Sequence, residues 1–276
     1  MFLKMANKSL DGAVERFGIS RTAWRVTILI LFAFLAVLGA FLSLTNGSSV
    51  ITMSQIVELL LNPGTDPQSQ IIWNIRMPRT IVGALVGINL SLSGAILQAI
   101  MRNPLADPHI IGISSGAGLA GVVIMILFPA LEYLITPVAF VGAMLAAICI
   151  YILAWKNGIK PVRIILAGVA VSAFLSAGIS GLMIFYSDRV HGALMWMVGG
   201  LAARSWPHVS IILPYAIIGL VLALASASYL NILQLGDEMA RGLGVNVEVT
   251  RIIMTAIAAL LAASAVSVVG LLGFVG

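Results

Sequence analysis

Seven long segments of the chain contain no Asp, Glu, Lys, Arg or His, and they constrain the fold more than any other feature. They cover residues 26–57, 80–101, 110–131, 133–155, 164–187, 209–236 and 252–276. A helix of about 20 apolar residues is long enough to cross a hydrocarbon core of about 30 Å. Charged residues make up only 9% of the chain, whereas a soluble domain carries about 25%. The sequence therefore predicts an all-α polytopic membrane protein with about seven transmembrane helices.

The first 25 residues form a basic region ahead of the first apolar segment. A cleaved signal peptide is the alternative interpretation, but this basic region is long and no clear Ala-x-Ala site follows the apolar run. We therefore predict a retained helix over 26–44. The predicted organisation is a cytoplasmic basic leader over 1–25 and a transmembrane domain over 26–276.

Basic residues are distributed unevenly between the segments that join the spans. With the N-terminus inside, the outer segments hold four of the 15 Lys and Arg residues: Arg76, Arg79, Arg189 and Arg204. The inner segments hold the other eleven: Lys4, Lys8, Arg16, Arg21, Arg25, Arg102, Lys156, Lys160, Arg163, Arg241 and Arg251. Positive charge in loops marks the cytoplasmic side. The distribution predicts a multi-pass protein of the cytoplasmic membrane with its N-terminus inside.

Half of the outer positive charge lies in the short stretch "IRMPRT", where Arg76 and Arg79 flank a Met-Pro pair. One interpretation is that both side chains extend to lipid phosphates, which costs little at a helix end. The other is a docking point for an acidic partner outside, because the planar guanidinium pairs bidentately with carboxylates. Pro78 is predicted to open the following helix, where its missing N–H does no harm.

The apolar segments contain no ionisable residue at membrane depth, which argues against a proton-coupled transporter and against an intramembrane enzyme. The chain also lacks a G-x-x-x-x-G-K-[ST] phosphate loop, so it does not bind ATP by that motif. The three histidines show no metal-ligand spacing, and Cys149 is the only cysteine. We predict no enzymatic activity, no metal site and, because the basic residues form no patch, no nucleic-acid partner.

Small and hydroxyl side chains mark two of the apolar segments. "GISSGAG" at 112–118 is predicted to be a Ser-capped helix start whose small residues allow close packing. Ser172, Ser176 and Ser180 follow one another at a spacing of four and share one helical face. They are either donors of interhelical hydrogen bonds or the wall of a pathway for a large polar cargo.

The inner segment "QLGDEMARGLGVNVEVTR" at 234–251 is predicted to contain two short helices. Asp237 and Glu238 suit the start of a helix and Arg241 suits its end, while Gly242 and Gly244 would stop it. The segment is either an ordinary connection or a lever on which a soluble partner pushes.

Three motifs occur together and in order: "RMPRT" with "LSLSGAILQAIMRNPLADPHIIGISSGAG", then "RIILAGVAVSAFLSA", then "LGDEMARGLGVNV". In these motifs the chain resembles the FecCD-type permeases, the membrane subunits of ABC importers for iron–siderophore complexes, haem and cobalamin. The resemblance covers the whole chain from the first span onward. It implies a ferric siderophore as cargo, with haem or cobalamin as the alternative.

The same resemblance implies partners and site residues. The partners are a second permease subunit, identical or paralogous, two cytoplasmic ATPases that hold ATP and Mg, and an extracytoplasmic binding protein. Arg76 and Arg79 are expected to pair with glutamates of the binding protein, and the helix over 164–187 is expected to line the pathway. The expected ATPase contacts lie in the coupling segment 235–247: Leu235, Gly236, Asp237, Glu238, Arg241, Leu243 and Gly244.

The chain departs from the family pattern at its end. Family members have roughly ten spans, and here the sequence stops at "SVVGLLGFVG", before a Pro-His motif and three further helices. We therefore expect a truncated permease. Two other functions stay open: a secondary transporter, which would work without ATP, and a truncated membrane scaffold that transports nothing.

Overall fold

The computed structural model describes residues 21–47, 51–61, 64, 66–109, 112–156 and 161–272. The described residues form six helices that are long and apolar enough to cross a membrane, together with one shorter apolar helix, Ile113–Leu127. This confirms the predicted all-α polytopic membrane protein. The chain divides into two compact units, Met1–Thr80 and Ile81–Gly276. Most of the predicted leader, residues 1–20, lies outside the described residues.

The first unit contains helices α1 (Arg21–Thr45), α2 (Met53–Leu61) and α3 (Pro67–Ile71). The apolar segment 26–57 is therefore divided between two helices and the link that joins them. The predicted retained helix over 26–44 lies within α1. A small apolar core that includes Leu44 and Ile72 packs the end of α1 against the later part of the unit.

A π-helical turn, Ile72–Arg76, connects α3 directly to α4 (Met77–Met101). Pro78 therefore lies inside a helical run that extends from Pro67 to Met101, and the prediction that it opens the helix is wrong. Proline leaves one backbone carbonyl of the preceding turn without its usual donor. Helices accommodate such an interruption by a local change of hydrogen-bond pattern, and the wider π turn is such a change.

The second unit is a bundle that contains most of α4, from Ile81 onward, and the helices that follow it. They are α5 (Ile113–Leu127), α6 (Ile135–Ala154), α7 (Pro161–Phe185), α8 (Val190–Val198), α9 (Trp206–Ala225), α10 (Ala227–Gln234), α11 (Asp237–Gly242) and α12 (Val247–Val269). Two 3₁₀ turns, Pro129–Leu134 and Ser187–Arg189, lie between α5 and α6 and between α7 and α8.

Helix α12 is the central helix of this unit. Within its most apolar stretch 78% of the residues are buried inside the chain, so most of α12 contacts other helices rather than lipid. Two buried hydrogen bonds join it to α4: Asn89 Nδ2 donates to Ser264 Oγ at 2.9 Å, and Ser93 Oγ donates to the carbonyl oxygen of Ala258 at 2.7 Å. Lipid tails are as apolar as the helices, so such polar contacts and close packing hold the bundle together.

Glycines let α5 and α6 approach closely. A Cβ placed on Gly116 would lie 2.4 Å from the carbonyl oxygen of Gly142, which confirms the predicted packing role of this segment. The predicted serine cap is wrong, however. The residue before α5 is Gly112, with φ of 81° and no side-chain hydrogen bond to the helix, while Ser114 and Ser115 are buried in the first turn.

Candidate functional site

The two arginines of the "RMPRT" motif have different environments. Arg76 ends the π-helical turn and is only 5% exposed. Its Nη1 donates to the carbonyl oxygens of Leu44 at 2.5 Å and Thr45 at 3.0 Å. These are carbonyls of the last turn of α1, which have no partner within their own helix. The Arg76 side chain therefore caps α1.

Arg79 lies one helical turn later and is exposed. Within the described part of the chain its side chain makes no hydrogen bond and no ion pair. A guanidinium in this setting can pair with a carboxylate of another molecule without first breaking contacts in its own chain. Of the two predicted docking residues, Arg79 is the one whose guanidinium is exposed.

The other two arginines assigned to the outer segments are engaged within the second unit. Arg189 forms an ion pair with Asp188 at 3.6 Å and donates to the carbonyl oxygen of Ile126 at 3.1 Å. Arg204 Nη1 lies 3.3 Å from His208 Nε2, and burial lowers the pKa of Arg204 from its ordinary value. Both side chains therefore contact residues of their own unit and stabilise the local structure.

The predicted coupling segment contains the first of its two predicted short helices, α11, whereas the second is wrong: the turn after α11 leads directly into the long helix α12. Asp237 and Glu238 form the first turn of α11 and Arg241 its last, which matches the helix dipole. Gly244 has φ of 80° and follows the helix end, as a helix stop does. A buried cluster that includes Leu233, Ala240 and Val247 packs α11 onto its neighbours.

Most of the residues predicted to contact an ATPase lie on the surface of this segment. Leu235 and Leu243 are each 59% exposed, and Glu238, Arg241 and Gly244 are also exposed. Met239, which the sequence pattern did not single out, is 60% exposed between the two leucines. Apolar side chains this exposed outside the spans are typical of a surface that contacts a partner.

Two of the predicted coupling residues face inward instead. Gly236 and Asp237 are partly buried, and the Asp237 carboxylate forms ion pairs with Arg102 and Arg251, each with a shortest distance of 3.0 Å. The sequence pattern did not indicate these two arginines, because they lie 135 and 14 residues from Asp237.

The three serines of α7 line one cavity of about 460 Å³. Ser115, on α5, and His109, before it, also contribute to the wall. The remaining lining is apolar and includes Met183 and Met197. The wall therefore presents hydroxyl groups and one imidazole and carries no carboxylate, guanidinium or ammonium group among the described residues.

Metal binding has no donor set in the part of the chain that the structure describes. No group of three or more His, Cys, Asp or Glu side chains is close enough to hold an ion. The single cysteine, Cys149, is exposed on α6.

Comparison with known proteins identifies the family of the chain. Residues 28–276 match the FecCD transport family. The Fe(3+)-citrate import system permease protein YfmD of Bacillus subtilis is 36% identical over 264 residues, which cover 96% of this chain and 78% of the relative. The hemin transport system permease protein HmuU of Yersinia pestis is 37% identical over 265 residues, with 91% of this chain and 77% of the relative covered.

The fold has a counterpart among solved structures. A structure described as an inward-facing conformation of a metal-chelate type ABC transporter superposes with a TM-score of 0.80 at 28% sequence identity. The match covers 91% of this chain and 78% of that one. Fold, motifs and sequence similarity agree, and the chain belongs to the FecCD transport family.

Proposed function

We propose that the chain is the membrane-spanning subunit of a binding-protein-dependent ABC importer that carries a ferric siderophore across the cytoplasmic membrane. The observation that carries this proposal is the family match over 28–276. A relative named for Fe(3+)-citrate import, YfmD, shares 36% identity with the chain, which favours a ferric chelate as cargo. Haem, for which HmuU is named, and cobalamin are the alternative cargoes.

The proposed complex contains a second permease subunit, two cytoplasmic ATPases and an extracytoplasmic binding protein. The permease holds no cofactor of its own, and ATP and Mg belong to the ATPases. With the N-terminus inside, the excess of inner Lys and Arg places the coupling segment 235–247 on the cytoplasmic side. The same topology places Arg79 outside, where its exposed guanidinium would meet a carboxylate of the loaded binding protein.

In the proposed cycle the docked binding protein releases its cargo into a pathway along α7. Ser172, Ser176 and Ser180 line a cavity there, and hydroxyl groups offer many weak hydrogen bonds to a polar chelate. Weak contacts suit a pathway because the cargo must leave as well as enter. ATP-driven movement of the ATPases is transmitted through Leu235, Met239 and Leu243, and the bundle changes from outward-open to inward-open.

The test is uptake of radiolabelled cargo, with iron as the label for the ferric chelates and haem and cobalt for cobalamin, by cells that express this permease with its own binding protein and ATPase but lack other iron-chelate importers. Ferric hydroxamate, ferric citrate, haem and cyanocobalamin are supplied separately. We expect uptake of a ferric siderophore that stops on ATP depletion and continues when an uncoupler removes the proton gradient. Uptake with the opposite energy dependence would establish a secondary transporter. Absence of uptake of all four compounds would favour the scaffold function.

A further inference from the structure

Asp237 connects three parts of the second unit. Its Oδ1 accepts a hydrogen bond from Arg102 Nη2 at 3.0 Å and another from Arg251 Nη2 at 3.0 Å. Arg251 Nη1 lies 3.4 Å from Oδ2 of the same carboxylate. Arg102 follows the last residue of α4, Asp237 begins α11, and Arg251 lies in the first part of α12. One carboxylate thus links the short surface helix to two membrane helices.

The backbone at Arg102 is shaped for this contact. Arg102 has φ of 49°, in the left-handed region that an arginine rarely adopts. The N–H of Asn103 donates to the carbonyl oxygen of Gln98 at 3.2 Å, as in a Schellman helix end, where glycine is the usual residue. Arginine adopts this left-handed conformation less readily than glycine does, but its side chain reaches Asp237.

The turn before α11 lies next to Arg102. Gly236, with φ of 111°, precedes the helix, and a Cβ on it would lie 3.4 Å from Arg102 Nη1. Glycine at this position adopts the required left-handed conformation, and the Arg102 guanidinium lies within ordinary van der Waals range of the turn. The turn before α11 and the end of α4 therefore fit each other.

Arg251 supplies the buried side of the connection. Its side chain is 2% exposed, against 34% for Asp237 and 41% for Arg102. A buried guanidinium needs its counter-charge, because an unpaired charge is costly away from water. The Asp237–Arg251 pair therefore fixes α11 on α12, whereas the Asp237–Arg102 pair is the more accessible link to α4.

We propose that Asp237 is a positioning residue that transmits movement of α11 to α4 and α12, and that Arg102 makes the α4 part of this link. The inference rests on the proposed function, since it assumes that an ATPase moves α11. Its content is additional: Asp237 acts inside the permease and does not contact the ATPase. Met239 and the flanking leucines make that contact, and the ion pairs carry the displacement onward.

The experiment uses the complete transporter in proteoliposomes, with the loaded binding protein inside and ATP in the external medium. External ATP drives only those transporters whose ATPase subunits face the outside of the vesicle. The central variant is Arg102→Gln, because it cuts the link to α4 and leaves the buried Asp237–Arg251 pair intact. We expect normal assembly with the ATPase, an unchanged KM for ATP, and a fall of about fivefold or more in cargo transported per ATP hydrolysed. Arg102→Lys, which keeps the charge, should recover part of this ratio.

Two further variants distinguish loss of the ion-pair link from loss of the fold. Asp237→Asn should lower the transport ratio too, but it also removes the carboxylate that pairs with the buried Arg251, so its thermal unfolding midpoint is measured alongside. Lys156→Gln removes an exposed positive charge that the topology places on the same side of the membrane, and it should keep the wild-type ratio. A wild-type ratio in Arg102→Gln, or loss of ATPase assembly in that variant, would overturn the proposal. Absence of ATP-driven transport by the wild type would instead refute the proposed function.

Discussion

The guanidinium of Arg76 donates a hydrogen bond to the backbone carbonyl oxygen of Leu44 at 2.5 Å. This contact joins the π-helical turn to the last turn of α1, and the Thr45 carbonyl accepts a second bond from the same nitrogen. A cation at a helix C-terminus also meets the negative end of the helix dipole. Arg76 therefore stabilises the first unit.

Replacing Arg76 by Leu should destabilise the protein. The substitution leaves buried carbonyl oxygens without donors, and the loss of hydrogen bonds from a charged group is expected to cost about 2 kcal/mol or more. The thermal unfolding midpoint in a single detergent measures the effect. Arg79→Leu is the matched control, because its side chain is exposed and bonded to no described residue. Equal midpoints for the two variants would show that Arg76 does not cap α1.

Reversing the charge of Arg79 should weaken docking of the loaded binding protein. We expect affinity to fall about tenfold or more, because a carboxylate would then face a carboxylate. Binding of the purified binding protein to the transporter in nanodiscs measures this, and the effect should diminish at high salt. Lys156→Glu makes the same charge change on the side assigned to the cytoplasm and should bind normally. Unchanged affinity of Arg79→Glu would exclude it from the docking surface.

The sequence identified the "RMPRT" motif but not the division of roles within it. Both arginines could be identified from the sequence, because a charged residue next to a predicted span is easily recognised. The capping role of Arg76 depends on a carbonyl 32 residues earlier, and no local pattern reports such a contact. The position of Pro78 inside the helix could not be predicted either, because proline is equally acceptable at a helix start.

Packing of α5 against α6 should be sensitive to a single added methyl group. Gly116→Ala places a Cβ about as close to Ala146 as to the Gly142 carbonyl, at 2.5 and 2.4 Å, so the helices must separate. Overpacking of this kind costs about 1 to 3 kcal/mol, and the unfolding midpoint should fall. Gly87→Ala is the control, since nothing lies within 4 Å of its Cβ position. A midpoint for Gly116→Ala at or above that of Gly87→Ala would contradict the close approach.

The cavity along α7 can be tested by filling it. Ser176→Phe adds an aromatic ring to a space of about 460 Å³, and we expect cargo uptake to fall while the ATPase still binds. The control is Ala177→Phe on the same helix, at an exposed position outside the cavity wall. If the two variants transport equally well, the cavity is not part of the pathway.

The serine spacing predicted a shared face, and the structure places all three side chains along one cavity. Periodicity within a helix is a local property, so it can be read from the sequence. The contributions of His109, Met183 and Met197 depend on how helices pack, and they became visible only in the structure. The same holds for the coupling segment, whose helix was predictable and whose ion pairs with Arg102 and Arg251 were not.

The exposed apolar surface of the coupling segment makes a separate prediction. Met239→Glu places a charge in the centre of the surface formed with Leu235 and Leu243, and it should reduce recovery of the ATPase with the purified permease. Val249→Glu is the control, because this residue is also exposed, at 49%, but lies in α12 outside the segment. Full recovery of the ATPase with Met239→Glu would place the contact elsewhere.

In the proposed function, ATP hydrolysis by a separate subunit drives a ferric siderophore through this chain. The most direct measurement is uptake of radioactive ferric siderophore by the reconstituted complex, compared between ATP and a non-hydrolysable analogue. We predict accumulation that requires both the loaded binding protein and hydrolysable ATP and that is lost in the Ser176→Phe variant. Equal accumulation with the analogue, or accumulation without the binding protein, would contradict the account.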